Sequence, residues 1–212
     1  MSGALQAIFQ NQRSFGLSIG DAFGGGFFAG QISTVGNSIA DYNLVVGPLS
    51  TAQSYLRFDS TPSSNLGALS NIDGPANSLS MNNADHPAAQ FCEGLTIGGF
   101  SDWYLPAKNE LEVCYYNLKP STDVNDTASG INANAVPARA SNYTAGTPAQ
   151  TSATIFRQGQ AQSFSQTAYY WSSTALSSPA TYACFQFFDS GVQYTGGVYN
   201  NRYVRAIRRV AV

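Results

Sequence analysis

The chain has 212 residues, of which 43% are hydrophobic and only 10% are charged, against roughly 25% charged residues in an average soluble domain. Ser, Thr, Asn and Gln together make up about a third of the chain. Disorder requires low hydrophobicity and high net charge, whereas this chain carries a net charge of −2 and 13% aromatic residues. The composition therefore predicts a folded, loop-rich protein.

The charge balance also restricts the partners that the chain can have. A net charge of −2 and an isoelectric point near 5.2 provide no basic surface for phosphate groups, so we expect no nucleic-acid partner. No apolar run approaches the roughly 20 residues of a membrane span, so we expect no membrane insertion. The N-terminal residues lack a basic stretch followed by an apolar run, which predicts no signal peptide and synthesis in a cytoplasm.

The first third of the chain is predicted to contain an arm and three strands. Residues 1–23 form the arm, because the apolar edge of Leu5, Ile8 and Phe9 is too short for a stable isolated helix. After three glycines, aromatic and β-branched residues predict strands at 27–33, 42–46 and 54–58. A connection rich in Ser, Asn, Pro and Gly follows over residues 59–80.

Two helices follow, each with an apolar stripe at helical spacing. Asp85 can cap the first helix, which starts at Pro87. The second starts at Pro106 or Ala107 and ends before Pro120. The two predicted stripes are Ala88, Phe91, Cys92 and Leu95 in the first helix, and Leu111, Cys114, Tyr115 and Leu118 in the second.

The last third of the chain is predicted to be a long loop followed by strands. Residues 121–167 show no periodicity, and a loop of this length inside a compact domain is often functional. Strands are then predicted at 169–173, 182–188, 192–195 and 203–212 as an antiparallel meander. The order of strands, two helices, loop and strands indicates an α+β fold with the helices segregated from the sheet.

No combination of side chains in the sequence predicts a reaction, a metal site or a cofactor. His86 is the only histidine, and its place before a proline at a helix entry favours a capping or surface role. Cys92, Cys114 and Cys184 are odd in number and lack CxxC spacing, which favours buried core residues over a disulfide framework or a zinc site. We therefore expect no enzymatic activity.

Binding is better supported than catalysis, because the last forty residues place tyrosines and asparagines between Gly-rich turns. This composition is typical of paratope loops, in which a rigid amphipathic ring supplies contact area at low entropic cost. The alternation over residues 182–188 favours Ala183, Phe185 and Phe187 as the buried set. The candidate ligand-binding residues are Tyr182, Gln186, Gln193, Tyr194, Tyr199, Asn200, Asn201 and Tyr203.

Two blocks of sequence resemble a known family. The first block is Asp85-His86-Pro87-Ala88-Ala89-Gln90-Phe91-Cys92, Gly98-Gly99-Phe100-Ser101-Asp102-Trp103-Tyr104-Leu105-Pro106, and residues 110–111 and 116–120. The second is Tyr170-Trp171-Ser172-Ser173-Thr174, residues 185–191, and Val204-Arg205-Ala206-Ile207-Arg208-Arg209. Over about residues 72–212 they resemble the C-type-lectin-like domain shared by the C-terminal part of Legionella collagen-like adhesin, bacterial surface proteins and phage virion proteins. Segments 20–32 and 42–48 are similar to a short β module that precedes this domain in phage members.

The resemblance implies three regions and a scaffold. An attachment arm (1–23) and a small β-rich module (24–71) would precede a C-type lectin-like domain (72–212) with two helices, a small antiparallel sheet and long irregular loops. The chain lacks the calcium motifs of sugar-binding lectins and an evident pair of catalytic cysteines like that of the related formylglycine-generating enzymes. The motif residues assigned to the scaffold are Asp102, Trp103, Tyr104, Leu105, Pro106, Trp171, Ser172 and Ser173.

The function that the resemblance implies is attachment. We expect a non-enzymatic phage virion protein on the tail or capsid surface, which binds other virion proteins through its N-terminal region and possesses a lectin-like domain for a host cell-surface receptor or for decoration. A homo-oligomer, with a trimer favoured, would raise the strength of weak single contacts through avidity. Two alternatives stay open: an enzyme on the formylglycine-generating fold, and a purely structural virion cement protein.

Overall fold

The computed structural model describes residues 16–61 and 67–212, so most of the predicted arm lies outside the described residues. The strands form two five-stranded sheets, which we name sheets A and B. This mixture of helix and sheet confirms the α+β prediction at that level. No helix in the described part of the chain is long and apolar enough to cross a membrane.

Sheet A combines strands from the two ends of the described chain. Its order is β1-β2-β3-β10, and β5 pairs with β2. All pairings are antiparallel, and a register shift interrupts β2 next to Gly30, which has a φ of +128°. The strands are β1 (Ala22–Phe23), β2 (Gly26–Ile32), β3 (Tyr42–Val46), β5 (Ala135–Val136) and β10 (Ile207–Ala211).

Sheet B has the order β4-β9-β6-β7-β8. Three of its pairings are antiparallel, whereas β6 and β9 run parallel and pair only through Tyr170 and Tyr203. The predicted antiparallel meander was therefore wrong in one pairing and in its last strand, which splits between the two sheets. The strands are β4 (Gln53–Arg57), β6 (Tyr169–Ala175), β7 (Tyr182–Phe187), β8 (Gln193–Gly197) and β9 (Asn201–Arg205).

In the described part of the chain, four short helices connect and cover the sheets: α1 (Leu49–Ala52), α2 (Gly74–Ser80), α3 (Pro87–Glu93) and α4 (Lys108–Leu118). Helices α3 and α4 confirm the two predicted helices. His86, not Asp85, occupies the N-cap position of α3, and its side chain makes no cap hydrogen bond. Helix α2 lies within the predicted connection 59–80. It has no apolar stripe and begins instead at a capping Asp73, with Pro75 in its first turn.

The long segment 121–167 is irregular, as predicted, apart from β5 and a 3-10 helix at Thr154–Phe156. It is nevertheless part of the core, because Tyr143, Phe156 and Phe164 are buried. The Lys119 ammonium is buried beside it and donates hydrogen bonds to Asn125 Oδ1 and the Asp123 carbonyl oxygen. These contacts replace the regular backbone ladders that the segment lacks.

Each sheet takes strands from both sides of the predicted boundary at residue 71. Strand β3 pairs with β10 in sheet A, and β4 pairs with β9 in sheet B. The chain crosses between the sheets at Gly47, and it crosses back at Ala206, whose carbonyl oxygen accepts a hydrogen bond from the Gly47 amide. The predicted division at residue 71 therefore does not separate two sheets.

Candidate functional site

One face of sheet B carries a cluster of aromatic rings at the end of the sheet formed by β6, β7 and β8. Strand pairing places Tyr169 opposite Phe187, and Phe185 opposite Tyr194. The rings of Tyr169 and Phe187 stack with centroids 4.4 Å apart, and Phe185 meets Tyr169 edge-on at 5.2 Å. We call Tyr169, Phe185, Phe187, Tyr194 and the side chain of Arg202 the aromatic face.

The guanidinium of Arg202 extends from β9 across these rings. Its Cζ lies 3.8 Å from the centroid of Phe185, 4.6 Å from that of Trp171 and 5.2 Å from that of Tyr169. A Cβ at Gly196 would lie 2.7 Å from Arg202 Nη2, so glycine at this position leaves room for the guanidinium. Three nearby rings attract the cation through their quadrupoles and compensate part of its lost hydration.

Within residues 16–61 and 67–212, Arg202 has no ionic partner. Its buried Nε has no hydrogen-bond partner among the residues that the structure describes, and none of the ion pairs formed by those residues includes it. Burial lowers the pKa of Arg202, and the phenol groups of Tyr169 and Tyr55 only partly oppose that effect. The other three C-terminal arginines differ, because Arg205, Arg208 and Arg209 all form hydrogen bonds with protein oxygens.

A cleft adjoins the aromatic face where β6 and β9 begin. It has a volume of about 160 Å³, and β6 and β9 pair at a single position beside it. Tyr55 and Tyr203 form one wall, with ring centroids 5.0 Å apart. The lining residues are Tyr55, Ser165, Thr167, Ala168, Tyr169, Asn201, Arg202 and Tyr203.

Most of the predicted ligand-binding residues lie at the surface of sheet B or its turns. The exposed ones are Tyr182, Tyr194, Tyr199, Asn200 and Asn201. Tyr194 is 67% exposed and belongs to the aromatic face. Gln193 and Tyr203 are partly buried, and Tyr203 packs between Tyr55 and Tyr170.

The prediction for Gln186 was wrong. Its side chain is 1% exposed, and its Nε2 donates hydrogen bonds to the Tyr143 hydroxyl and the Gly191 carbonyl oxygen. Tyr143 of the segment 121–167 covers this face of β7 at Gln186, whereas Tyr182 at the start of the strand stays exposed and Cys184 is partly buried. Phe187, assigned to the interior, is only partly buried and joins the aromatic face.

Sequence reasoning missed four contributors to this surface: Tyr55, Tyr169, Phe187 and Arg202. Tyr169 and Trp171 point to the same face of β6, because side chains alternate along a strand. That alternation, together with an arginine next to Tyr203 in β9, was the available signal. The exposed end of this face of sheet B could not be predicted, because helices and loops distant in sequence determine which part of the face they cover.

The motif residues assigned to the scaffold support β6 and β10 from within. Trp103 and Trp171 are buried. Asp102 accepts two hydrogen bonds from Arg208, at 2.6 and 2.8 Å, in a bidentate pair. The Ser173 amide donates to the carbonyl oxygen of Pro106. These contacts connect the two sequence blocks directly.

Two glutamates on α4 are fully buried, and both are saturated with donors. Glu110 accepts hydrogen bonds from the Tyr104 hydroxyl, the Ala107 amide and Arg209. Glu112 accepts them from Asn132, Arg139 and Tyr143. Burial raises the pKa of Glu110 despite its three hydrogen-bond donors. Both carboxylates connect α4 to segments that are distant in sequence.

The three cysteines and the single histidine are buried or partly buried. Cys92 and Cys114 are buried and Cys184 is partly buried, and all three are free thiols. Burial raises the pKa of each thiol, which opposes thiolate formation. His86 is also buried, contrary to a surface role, with Nδ1 2.6 Å from Asp59 Oδ1. Residues 16–61 and 67–212 contain no group of three or more His, Cys, Asp or Glu side chains that could hold a metal ion.

The fold and this surface define an α+β protein with an exposed aromatic face on one of two sheets. The family model of the Lcl C-terminal domain matches residues 64–208, and the chain belongs to that family. This match supports the resemblance to the Legionella adhesin-type domain, whereas the phage N-terminal module has no such support.

No curated protein sequence matches the chain. Among solved structures, the chain is similar to a fimbrial protein from Bacteroides ovatus, at 16% sequence identity and a TM-score of 0.46. The match covers 78% of this chain and 35% of the fimbrial protein, so the chain corresponds to about a third of that structure.

Proposed function

We propose that this chain is a non-enzymatic, adhesin-like binding protein that acts through its aromatic face and the adjoining cleft. The observation that carries the proposal is a half-buried arginine that has no ionic partner among the described residues and lies over Phe185, the ring that the 67% exposed Tyr194 also contacts. Exposed apolar patches on soluble domains mark interaction sites, and Tyr and Arg are frequent anchors in them. Family membership supports the same class of function.

A binding measurement on intact cells tests this proposal. Removal of the Tyr169 and Tyr194 rings should weaken attachment of the purified chain to its target cells by about tenfold or more, as loss of an anchor residue does. Leu79→Ala is the matched control, because Leu79 is 66% exposed and lies on α2, outside the aromatic face and the lining of the cleft. Equal weakening by both variants, or by neither, would contradict the proposal.

The finer proposal is that the protein is part of a phage virion, on the tail or capsid surface, with residues 72–212 in a C-type lectin-like arrangement. The sequence resemblance to phage virion proteins supports this assignment. A homo-oligomer, with a trimer favoured, would add avidity to weak single contacts. Mass spectrometry of purified particles tests the virion assignment, and absence of the chain from them would end it.

The two alternatives predict different observations. A cement protein would bury residues 194–201 against neighbouring virion subunits, which a particle reconstruction at residue resolution would reveal. An enzyme on the formylglycine-generating fold would need a reactive thiol, and burial raises the pKa of all three thiols here. The free, buried cysteines therefore favour binding over oxidase chemistry.

A further inference from the structure

Arg202 provides more than a general binding surface, because its charge is incompletely compensated. A partly buried guanidinium loses hydration, and proteins normally compensate such a loss with a carboxylate partner or with a full set of hydrogen bonds. Arg208 and Arg209 have such partners in Asp102 and Glu110. Arg202 has ring contacts only, and its buried Nε has no hydrogen-bond partner in the described part of the chain.

The position of the guanidinium suits an incoming carboxylate. Phe185, 3.8 Å from Cζ, supports it on one side, and Gly196 beside Nη2 has no side chain to cover it. A guanidinium presents N–H groups in a planar fork that matches a carboxylate in a bidentate pair. Tyr169 and Tyr194 flank this site with amphipathic rings that contact apolar and polar groups alike.

We infer that the aromatic face binds a protein partner whose anchor is an aspartate or glutamate side chain paired with Arg202. The argument for this occupant is charge complementarity, together with a tyrosine-rich surface of the kind that binds proteins. The inference rests on the proposed function and names the class of partner. The ring surroundings strengthen the pair, because water is excluded from one side of it.

Parallel panning of a random dodecapeptide library on the purified full-length chain and on Arg202→Gln tests the inference. Peptides enriched on the wild-type chain should contain Asp or Glu, and replacement of that residue by Asn or Gln should weaken binding by about 30-fold or more. Arg202→Gln should lose the same peptides. Arg57→Gln is the matched control, because Arg57 is exposed on β4 of the same sheet, and it should retain them.

A second pair of variants keeps the test valid if Arg202→Gln disturbs folding. Tyr194 is exposed and contacts Phe185, the ring beneath Arg202. Tyr194→Glu would add a negative charge beside Phe185, the ring that the guanidinium covers, and should weaken binding of the acidic peptides. Tyr194→Gln introduces a neutral side chain of the same size as glutamate. It should bind the acidic peptides at least several-fold better than Tyr194→Glu.

The inference is overturned by selected peptides without acidic enrichment, by equal binding to the wild-type chain and Arg202→Gln, or by equal binding to the two Tyr194 variants. A shift of aromatic-face resonances by free glucuronate, lost in Arg202→Gln and without any acidic peptide selected, would assign the anchor to a saccharide and also overturn it. The proposed function fails separately, because it depends on attachment of the chain to cells. Attachment that persists in Arg202→Gln would remove this inference alone.

Discussion

At the residue scale, the stability of the buried Glu110 carboxylate in its charged form depends on the groups that donate hydrogen bonds to it. Its side chain is fully buried, and Arg209 provides the one full positive charge among its three donors. Burial raises the pKa of Glu110, and the charge of Arg209 is the largest effect that lowers it. Removal of Arg209 would leave a buried carboxylate without a counter-charge, which is far more costly than the absence of both groups.

Arg209→Met should therefore destabilise the protein by about 3–5 kcal/mol at neutral pH. The pKa of Glu110 in the folded variant would lie further above its unfolded value. A carboxyl group with a raised folded-state pKa stabilises the fold when protonated, below the unfolded pKa, and that stabilisation is lost as the pH rises through the folded pKa. The deficit relative to the wild-type chain should thus grow from acid to neutral pH in urea titrations.

The double variant Arg209→Met/Glu110→Gln provides the control for this prediction. Because glutamine does not titrate, this site should add no pH dependence to the stability of the double variant, and its deficit should not grow from acid to neutral pH. Part of the loss should persist in both variants, since Arg209 also donates to the Ile72 carbonyl oxygen. A pH-independent deficit in the single variant would contradict the assigned role of Glu110.

The cysteines provide a second test at the residue scale. Burial raises the pKa of all three thiols, and the thiolate is the reactive form. At pH 8, the native protein should therefore react with a thiol-specific disulfide reagent about tenfold or more slowly than a free cysteine, with Cys184 first. In denaturant all three should react at once. Rapid labelling of Cys92 or Cys114 in the native protein would favour the enzyme alternative again.

At the scale of single elements, the register shift in β2 depends on Gly30. Its φ of +128° lies in a region that favours glycine, and a Cβ there would overlap Asn117 Nδ2 and Val113 on α4. Asn117 Nδ2 donates to the Ala29 carbonyl oxygen at this site. The missing side chain thus allows α4 to lie directly on sheet A.

Gly30→Ala should cost about 2–4 kcal/mol, the sum of backbone strain and overpacking. Gly99→Ala is the matched control, because Gly99 also has a positive φ, of +84°, but a Cβ added there would meet no atom within 4 Å. Its cost should be limited to strain, about 1–2 kcal/mol. Equal losses in the two variants, measured by urea unfolding, would show that close packing at Gly30 contributes nothing.

Elements with a strong local pattern could be predicted from the sequence, and the rest depend on distant partners. The apolar stripes of α3 and α4 define those helices by themselves. Helix α2 has no such stripe, and its buried Asn77 bonds instead to the Ser70 carbonyl oxygen. Alternation in β7 indicates one buried set, but Tyr143 from the long loop covers the other face of the strand at Gln186, so this glutamine is buried as well.

The same limit applies to the candidate site. Tyr194 and Asn201 were predicted because their turns are rich in glycine, a local signal. Arg202 was missed, since its importance follows from rings on β6 and β7 that only strand pairing brings together. The strand predicted at 203–212 is interrupted at Ala206, whose amide donates to the Ala52 carbonyl oxygen at the crossing between sheets.

At the scale of the whole molecule, the chain crosses between the sheets at Gly47 and Ala206, and these two positions lie side by side. We call this pair of crossings the joint. The Ala206 carbonyl oxygen accepts a hydrogen bond from the Gly47 amide. The buried Arg205 reinforces the joint, because its Nε donates to the Gly47 carbonyl oxygen and its Nη1 to Gln53 Oε1. Both sheets are therefore completed by residues 22–57, although the family match begins at residue 64.

A fragment of residues 72–212 should consequently fail to fold alone, despite its resemblance to a complete domain. It would lack β3 and β4, which leaves β10 and one edge of β9 without their ladders and exposes apolar side chains of both cores. Coexpression with residues 1–61 should restore a folded complex with the far-ultraviolet spectrum and cooperative melting of the intact chain. A fragment that melts cooperatively on its own would instead establish residue 71 as a true domain boundary, with the N-terminal strands as a dispensable addition.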